Sequence, residues 1–354
     1  MSPENSDKTI KITLDDLASV TTPDAGAPLA IGQAQGGAKV YGSVSEPADP
    51  QTKVAEEKGS ILLQAWFYLG VAGMLGSLAG WGIAEPHFVD SPTEFRWGNF
   101  VIIPLIVALL CVGFAVAESI VERSPRKVLI RGALSLPLGI VLGFLFDRIA
   151  NFVYAIGLSI LFEMGVRTTS NPSIWVVRGF AWMIFGAAGG VVYGIIGQSS
   201  KRTLYGVLGG VIGAGLGGVV FDPIAMLTHA GAASRAVGFA LVGLATGVGV
   251  GLVESALKDR WLYVTAGPLA GKQFILYKPR TVMGSDQRCD IYLFKDSNIL
   301  KEHALVELAG SRIMLRAIGQ TYVNGQPVRQ QVLMSGAVVQ IGRYAFRYQE
   351  RHRN

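Results

Sequence analysis

The pattern of hydrophobic and polar positions divides this chain into three regimes. Residues 1–58 are polar, rich in Ala, Gly, Ser, Pro and Thr, and show no sustained period. Such a segment buries too little apolar surface to offset its ordering entropy, so disorder is expected. Within it, Ile10-Lys11-Ile12-Thr13-Leu14-Asp15-Asp16-Leu17 is either a docking motif or a local fluctuation. From 61 to 257 the apolar runs become long enough to cross a bilayer, which takes about 20 helical residues. Six are clear, at 61–83, 99–120, 128–146, 174–197, 203–221 and 235–256. A shorter stretch at 149–164, bracketed by Arg148, Asn151 and Glu163, is expected to lie interfacially or to pack partway in. Beyond 261 the rhythm shortens, with apolar runs at 262–265, 273–277, 280–283, 290–294, 304–308, 312–316, 338–341 and 345–348 between turn residues. Short strands at that spacing predict an all-β sandwich. The expected architecture is a six-helix polytopic membrane bundle at 59–257, preceded by the 1–58 tail and followed by a β-sandwich at 258–354.

Charge placement fixes the expected topology. Arg123, Arg126, Lys127 and Arg131 follow the second run, Lys201 and Arg202 the fourth, and Lys258 and Arg260 the sixth. The other connections are mixed or acidic, and basic loops stay cytoplasmic. Six crossings place both termini inside an inner or plasma membrane, whereas a seventh would put one basic loop outside. No secretory signal is expected, because no basic cluster precedes an early apolar core.

The runs also repeat. The first, third and fifth close near Glu85, Asp147 and Asp222, and the second, fourth and sixth open near Arg96, Arg178 and Arg235. Three two-helix hairpins in one orientation are predicted, a parallel repeat and not an inverted one. Asp147, Arg178, Asp222 and Arg235 are expected to form acid–arginine pairs, Asp222 with Arg235 and Asp147 with Arg178, since an unpaired charge there would be costly. A substrate gate is the alternative. Gly186-x-x-x-Gly190-x-x-x-Gly194, Gly209-x-x-x-Gly213-x-x-x-Gly217 and Gly243-x-x-x-Gly247-x-x-x-Gly251 lay glycine strips along single helix faces. They predict close intramolecular helix packing, with a glycine-lined pore or a self-association face giving a homo-oligomer as alternatives.

Composition narrows the function classes. Half of the 354 residues are hydrophobic, 16% are charged, and mean hydropathy is +0.41. This fits a bilayer-embedded protein with a soluble attachment. A net charge of +6 without a basic stripe interleaved with aromatics gives no sign of nucleic-acid binding. Two cysteines, Cys111 and Cys289, and four histidines, His87, His229, His303 and His352, suggest neither a disulfide framework nor a metal cluster. Hydrolase, zinc-protease and phosphate-loop signatures are absent from the sequence, so no cofactor and no catalysis are expected.

The C-terminal region carries ordered motifs: Val282-Met283-Gly284-Ser285, Ile299-Leu300-Lys301-Glu302-His303, Thr321-Tyr322-Val323-Asn324-Gly325 and Val338-Val339-Gln340-Ile341-Gly342-Arg343. This set resembles the forkhead-associated (FHA) domain, a β-sandwich that usually binds phosphothreonine peptides. The family pattern is a Gly-Arg pair, a Ser-x-x-His block and an Asn-Gly turn. Gly284, His303, Asn324 and Gly325 match it, while Ser285 stands in place of the phosphate-binding Arg and Leu300 in place of the phosphate-binding Ser. The resemblance implies that His303 is a buried brace and Asn324 a peptide contact. It implies a peptide edge built from Gly284, Ser285, Arg288, Lys301, His303, Asn324 and Gly325. A phosphate dianion needs charge-assisted donors in a fixed fork. Ser285 and Leu300 do not supply one, although Arg288, Lys295 and Lys301 are near enough in sequence to form a substitute basic rim.

The expected function is a non-enzymatic scaffold or adaptor, embedded in the lipid bilayer, that recruits a cytoplasmic protein partner or a phosphopeptide-like segment through 258–354, independently of phosphate. The rivals are a phosphothreonine-dependent signalling receptor and a transporter or channel regulated by the FHA-like domain.

Overall fold

The computed structural model describes residues 59–351, excepting 90, 92, 95, 169, 228–230 and 311. The expectations for the 1–58 tail and its 10–17 motif fall outside these residues. Six helices are long and apolar enough to cross a membrane: α1 Ala65–Ala84, α2 Trp97–Val121, α3 Pro125–Glu163, α4 Pro172–Ile196, α5 Ser200–Leu227 and α6 Ala232–Leu257. Each packs on its sequence neighbours, α6 closes onto α1, and α2 touches α4 across the ring.

The glycine strips lie at these closures. A Cβ on Gly186 would fall 1.9 Å from the Gly210 carbonyl oxygen of α5, and one on Gly213 would fall 2.2 Å from Ala245 O of α6. A Cβ on Gly247 would meet Leu69 O of α1 at 2.1 Å. Backbones approach where side chains are missing, and dispersion between them holds the contact in an apolar medium. Toward the far end, Trp182 stacks on Phe239 at 5.9 Å and meets Phe221 at 4.9 Å, leaving a cavity of 30 Å³ beside them.

The stretch at 149–164 is not a separate segment. It continues the third span as one 39-residue helix, about 58 Å long at 1.5 Å per residue. Nothing at the expected break stops it: Asn151 Nδ2 donates to both the backbone and the carboxylate oxygen of Asp147 at 2.9 Å, keeping that charge within the helix surface. The stop comes at Gly165, with φ +88°, where Val166 N–H reaches Leu161 O and Gly165 N–H reaches Phe162 O. That is the Schellman C-cap, which glycine adopts without a Cβ penalty.

The same two-bond closure ends α2 and α4, with non-glycine residues in the left-handed position. Arg123 and Gln198 have φ +53° and +54°, and each is followed by a serine whose N–H bonds back to Ser119 O or Gly194 O. The two turns are thus structurally equivalent, and through them Glu118 corresponds to Tyr193, and Lys127 to Arg202.

After Leu257 the chain enters a sandwich of two sheets. One has the order β2-β1-β11-β10-β7-β8 and the other β4-β3-β5-β6-β9. The strands are β1 Arg260–Ala266, β2 Gln273–Ile275, β3 Arg280–Gly284, β4 Ile291–Tyr292, β5 Ala304–Ala309, β6 Arg312–Ala317, β7 Thr321–Val323, β8 Gln326–Pro327, β9 Gln330–Leu333, β10 Val338–Ile341 and β11 Tyr344–Glu350. All eight expected runs contribute strands. The additional β7, β8 and β9 are short and carry too few apolar residues to announce themselves. Between the sheets lies a core that includes Leu262, Val264, Met283, Leu293, Leu315, Ile341, Tyr344 and Phe346.

Candidate functional site

The loops after β3, β4 and β6 and the β7–β8 turn build the edge that the FHA resemblance singles out. At the end of β3, a Cβ on Gly284 would sit 2.1 Å from Lys301 O, so the position accepts only glycine while the two loops stay together. Ser285 uses its hydroxyl inward, donating to Ile299 O at 2.8 Å, and its N–H reaches Leu300 O at 2.9 Å. His303 is buried as a brace. Its Nδ1 accepts from Leu300 N–H at 3.1 Å, its Nε2 lies 3.0 Å from Gln320 O, and its carbonyl accepts from Ile318 and Gly319. Asn324 and Gly325 both have positive φ, +52° and +80°, the backbone of a two-residue hairpin turn. Asn324 Oδ1 accepts from Val338 N–H at 2.9 Å, tying the exposed turn to β10.

At the position of the family's phosphate-binding serine, Leu300 is 47% exposed, and Ile318, which also bonds to His303, is 53% exposed. Lys295 and Lys301 are exposed on the same loop, whereas Arg288 lines a cavity facing the helices. The Cys289 thiol is pushed up by burial and donates to Lys301 O at 3.1 Å, which makes it a packing group.

The β3–β4 loop is docked on the helix bundle. Gln287 Oε1 accepts from Arg126 N–H in the first turn of α3 at 3.1 Å and from the hydroxyl of Ser124, just before α3, at 3.4 Å. Lys127 donates to Asp290 O at 3.1 Å, and Lys278 reaches Gln198 of the equivalent α4–α5 turn at 3.3 Å.

Between those turns lies a charged network that sequence reasoning missed. Arg202 sits at its centre, 2.9 Å from Glu118 and 3.7 Å from Glu254, with its guanidinium over the Tyr193 ring at 4.0 Å. Glu254 accepts from the Tyr193 hydroxyl at 2.9 Å and from the Tyr277 hydroxyl of the sandwich at 2.7 Å. Burial, and then Glu254, hold the Tyr277 phenol well above its ordinary range, so it stays a donor. The β1–β2 turn inserts Lys272, 1% exposed, 3.1 Å from Glu122, which also pairs with Lys127 at 3.1 Å. A signal was present in the sequence: Glu118-Ser119 and Glu254-Ser255 close the second and sixth spans with the same dipeptide.

At the opposite end the four predicted residues are partnered differently from the expectation. Arg178 of α4 pairs with Asp222 of α5 at 2.8 Å, and Arg235 of α6 with Glu85, just after α1, at 2.5 Å. Asp147 meets Arg148 at 3.5 Å and Asn151, not Arg178. The expected pairs within each hairpin, Asp222 with Arg235 and Asp147 with Arg178, do not form. Each arginine reaches around the ring to the acid of the next hairpin, because consecutive hairpins are brought into glycine contact there. Among the described residues no third such pair is shown, and α3 runs on past Asp147.

Residues 263–352 match the family described as the inner membrane component of T3SS, cytoplasmic domain. Over 86 residues the chain is 38% identical to the glycogen accumulation regulator GarA of Mycolicibacterium smegmatis, covering 23% of this chain and 54% of the relative. It is 35% identical over 86 residues to an oxoglutarate dehydrogenase inhibitor of Corynebacterium efficiens, covering 23% and 60%. The chain thus spans little more than half the length of these curated relatives. Similar solved structures include the FHA domain of the CT664 protein from Chlamydia trachomatis, at 25% identity and TM-score 0.25, covering 27% of this chain and 100% of that one. Another is the N-terminal FHA domain of S. cerevisiae Rad53p in complex with a phosphothreonine peptide, at 18% identity and TM-score 0.25, covering 26% and 94%. The C-terminal region is an FHA-like domain, joined to six helices long and apolar enough to span a membrane.

Proposed function

We propose that this chain is a membrane-anchored scaffold whose FHA-like sandwich, on the cytoplasmic side of an inner or plasma membrane with both termini, recruits a protein partner without reading phosphate. In this reading 1–58 is a cytoplasmic tail, 59–257 the membrane unit and 258–354 the recruiting unit. Basic residues flanking the second, fourth and sixth spans support the orientation, and the family description supports an inner-membrane setting. The observation that carries phosphate independence is the pair Ser285 and Leu300. The Ser285 hydroxyl is engaged by Ile299 O, and Leu300 presents an aliphatic surface where the family places a phosphate donor. The partner would contact Leu300, Ile318, Lys301 and the Asn324-Gly325 turn, an edge suited to an apolar side chain flanked by backbone.

The test is capture of partners by the detergent-solubilised full chain from lysate, with and without phosphatase treatment. Capture is expected to survive dephosphorylation and to be lost in Leu300→Asp. Capture that disappears with phosphatase, and with Lys301→Ala or Arg288→Ala, would give the site to phosphothreonine through a relocated basic rim. Reporter fusions after Ser200 and after Asn354 should both report cytoplasm; opposite signals would refute the even number of crossings.

A further inference from the structure

A cavity of 390 Å³ opens between the sandwich-facing ends of the helices and the 273–278 and 287–291 segments of the sandwich. Six cationic and three acidic side chains line it. The acids are already compensated: Glu118 by Arg131 and Arg202, Glu254 by Arg202 and two phenols, Asp290 by Lys278 and the Val282 N–H. Two exposed guanidiniums are the least compensated. Arg288 has one long ion pair, to Asp286 at 4.0 Å, and Arg126 makes no ion pair among the described residues. One comes from α3 and the other from the sandwich, so this cationic pair exists only while the two are docked.

The wall below Arg126 changes character. Ile130 and Leu134 follow it at intervals of four, which places all three on one face of α3. Both line the same cavity and are exposed, at 49% and 58%. Weakly compensated guanidiniums therefore line this cavity, and an aliphatic track runs from Arg126 along α3. Guanidinium groups suit phosphate oxygens in geometry as well as charge. A free phosphate would satisfy only the cationic end, whereas a ligand that is anionic at one end and aliphatic at the other matches the whole wall.

We propose that this cavity holds an acidic phospholipid, its phosphate on Arg126 and Arg288 and one acyl chain along Ile130 and Leu134. Lipid then bridges helix and sandwich and favours the docked arrangement. The assignment rests on the membrane-anchored reading above. The ligand differs in position and chemistry from a peptide on the Leu300 edge.

Native mass spectrometry of the full chain in detergent tests it, with phosphatidylglycerol, phosphatidylcholine or inorganic phosphate added. Wild type is expected to retain phosphatidylglycerol over phosphatidylcholine. With each guanidinium contributing roughly fivefold, the Arg126→Ala, Arg288→Ala double variant should lose about 25-fold in retention. Leu134→Asp should lower lipid retention and leave any phosphate adduct unchanged. Should the double variant fail to fold, Arg288→Gln on the exposed loop carries the test, with a loss of roughly fivefold. Equal retention of the two lipids, or a folded double variant that keeps phosphatidylglycerol, overturns the proposal. Displacement of phosphatidylglycerol by equimolar inorganic phosphate overturns the lipid assignment and leaves a phosphate site. A chain that washes off membranes in carbonate overturns the membrane anchoring, and this inference with it. An anchored chain without lipid selectivity overturns this inference alone.

Discussion

At the end of the helix ring away from the sandwich, Arg178 pairs with Asp222 and Arg235 with Glu85, each joining two helices. At the sandwich end, Arg202 alone contacts Glu118 and Glu254, and through them the network reaches Arg131, Tyr193, Tyr277 and Lys272. Among the described residues each outer arginine is shown with one acid, whereas Arg202 is shown with two. The difference follows from what covers each end. Away from the sandwich the paired arginines Arg178 and Arg235 keep 23% and 20% exposure. Beneath the sandwich Arg202 and Glu254 keep only 9% and 5% exposure beside the cavity, and charges so buried must be shared among several partners to remain tolerable.

The largest expected effect breaks the cluster at its centre. Arg202→Met leaves Glu118 and Glu254 buried without their common cation, and should cost about 3–5 kcal/mol. Thermal unfolding of the full chain in detergent measures it; a loss no greater than that of Arg178→Met would erase the contrast between the ends. Next comes Tyr277→Phe, which removes one hydrogen bond to the Glu254 carboxylate, a type of bond worth about 1.5–3 kcal/mol. Its loss should also expose the β1–β2 turn at Lys272 to proteolysis while the sandwich core stays resistant, and unchanged cleavage would show that docking does not run through Glu254.

Gly247→Leu acts between the two ends. Its side chain would press on the α1 backbone at Leu69, and overpacking of this kind costs about 1–3 kcal/mol. Because α6 carries both Arg235 and Glu254, both ends should loosen together in hydrogen exchange; protection lost at one end only would show that the ends are mechanically independent. The smallest effect is a coupling. Arg178 with Asp222 should show a double-mutant coupling of at least about 0.5 kcal/mol, and Asp222 with Arg235 none. Coupling between the latter two would restore the within-hairpin pairing.

Much of this was legible in the sequence. The six apolar runs, the β rhythm and the Gly284, His303, Asn324 and Gly325 positions are local signals, and the FHA-like sandwich and the six long helices stand as expected. Gly165, not the charged Asp147-Arg148 pair, marked the end of α3, since Asn151 satisfies the Asp147 carboxylate one turn on, whereas a helix stops readily where the backbone turns left-handed. The partners of the acids and arginines were not legible. Asp222 and Arg235 flank a single connection, so proximity in sequence favoured them, while contact between hairpins redirected each arginine.

The sequence by itself determined where helices and strands form, where glycine strips run along helix faces, and which family residues are missing at Ser285 and Leu300, because each of these depends on local pattern or on one side chain. Only the tertiary structure decided which charges meet, that Lys272 and Tyr277 enter the end of the helix ring, and that Arg126 and Arg288 flank one cavity. Those outcomes bring together residues scores of positions apart, and burial sets the strength of each interaction only after the helices and the sandwich have closed on one another.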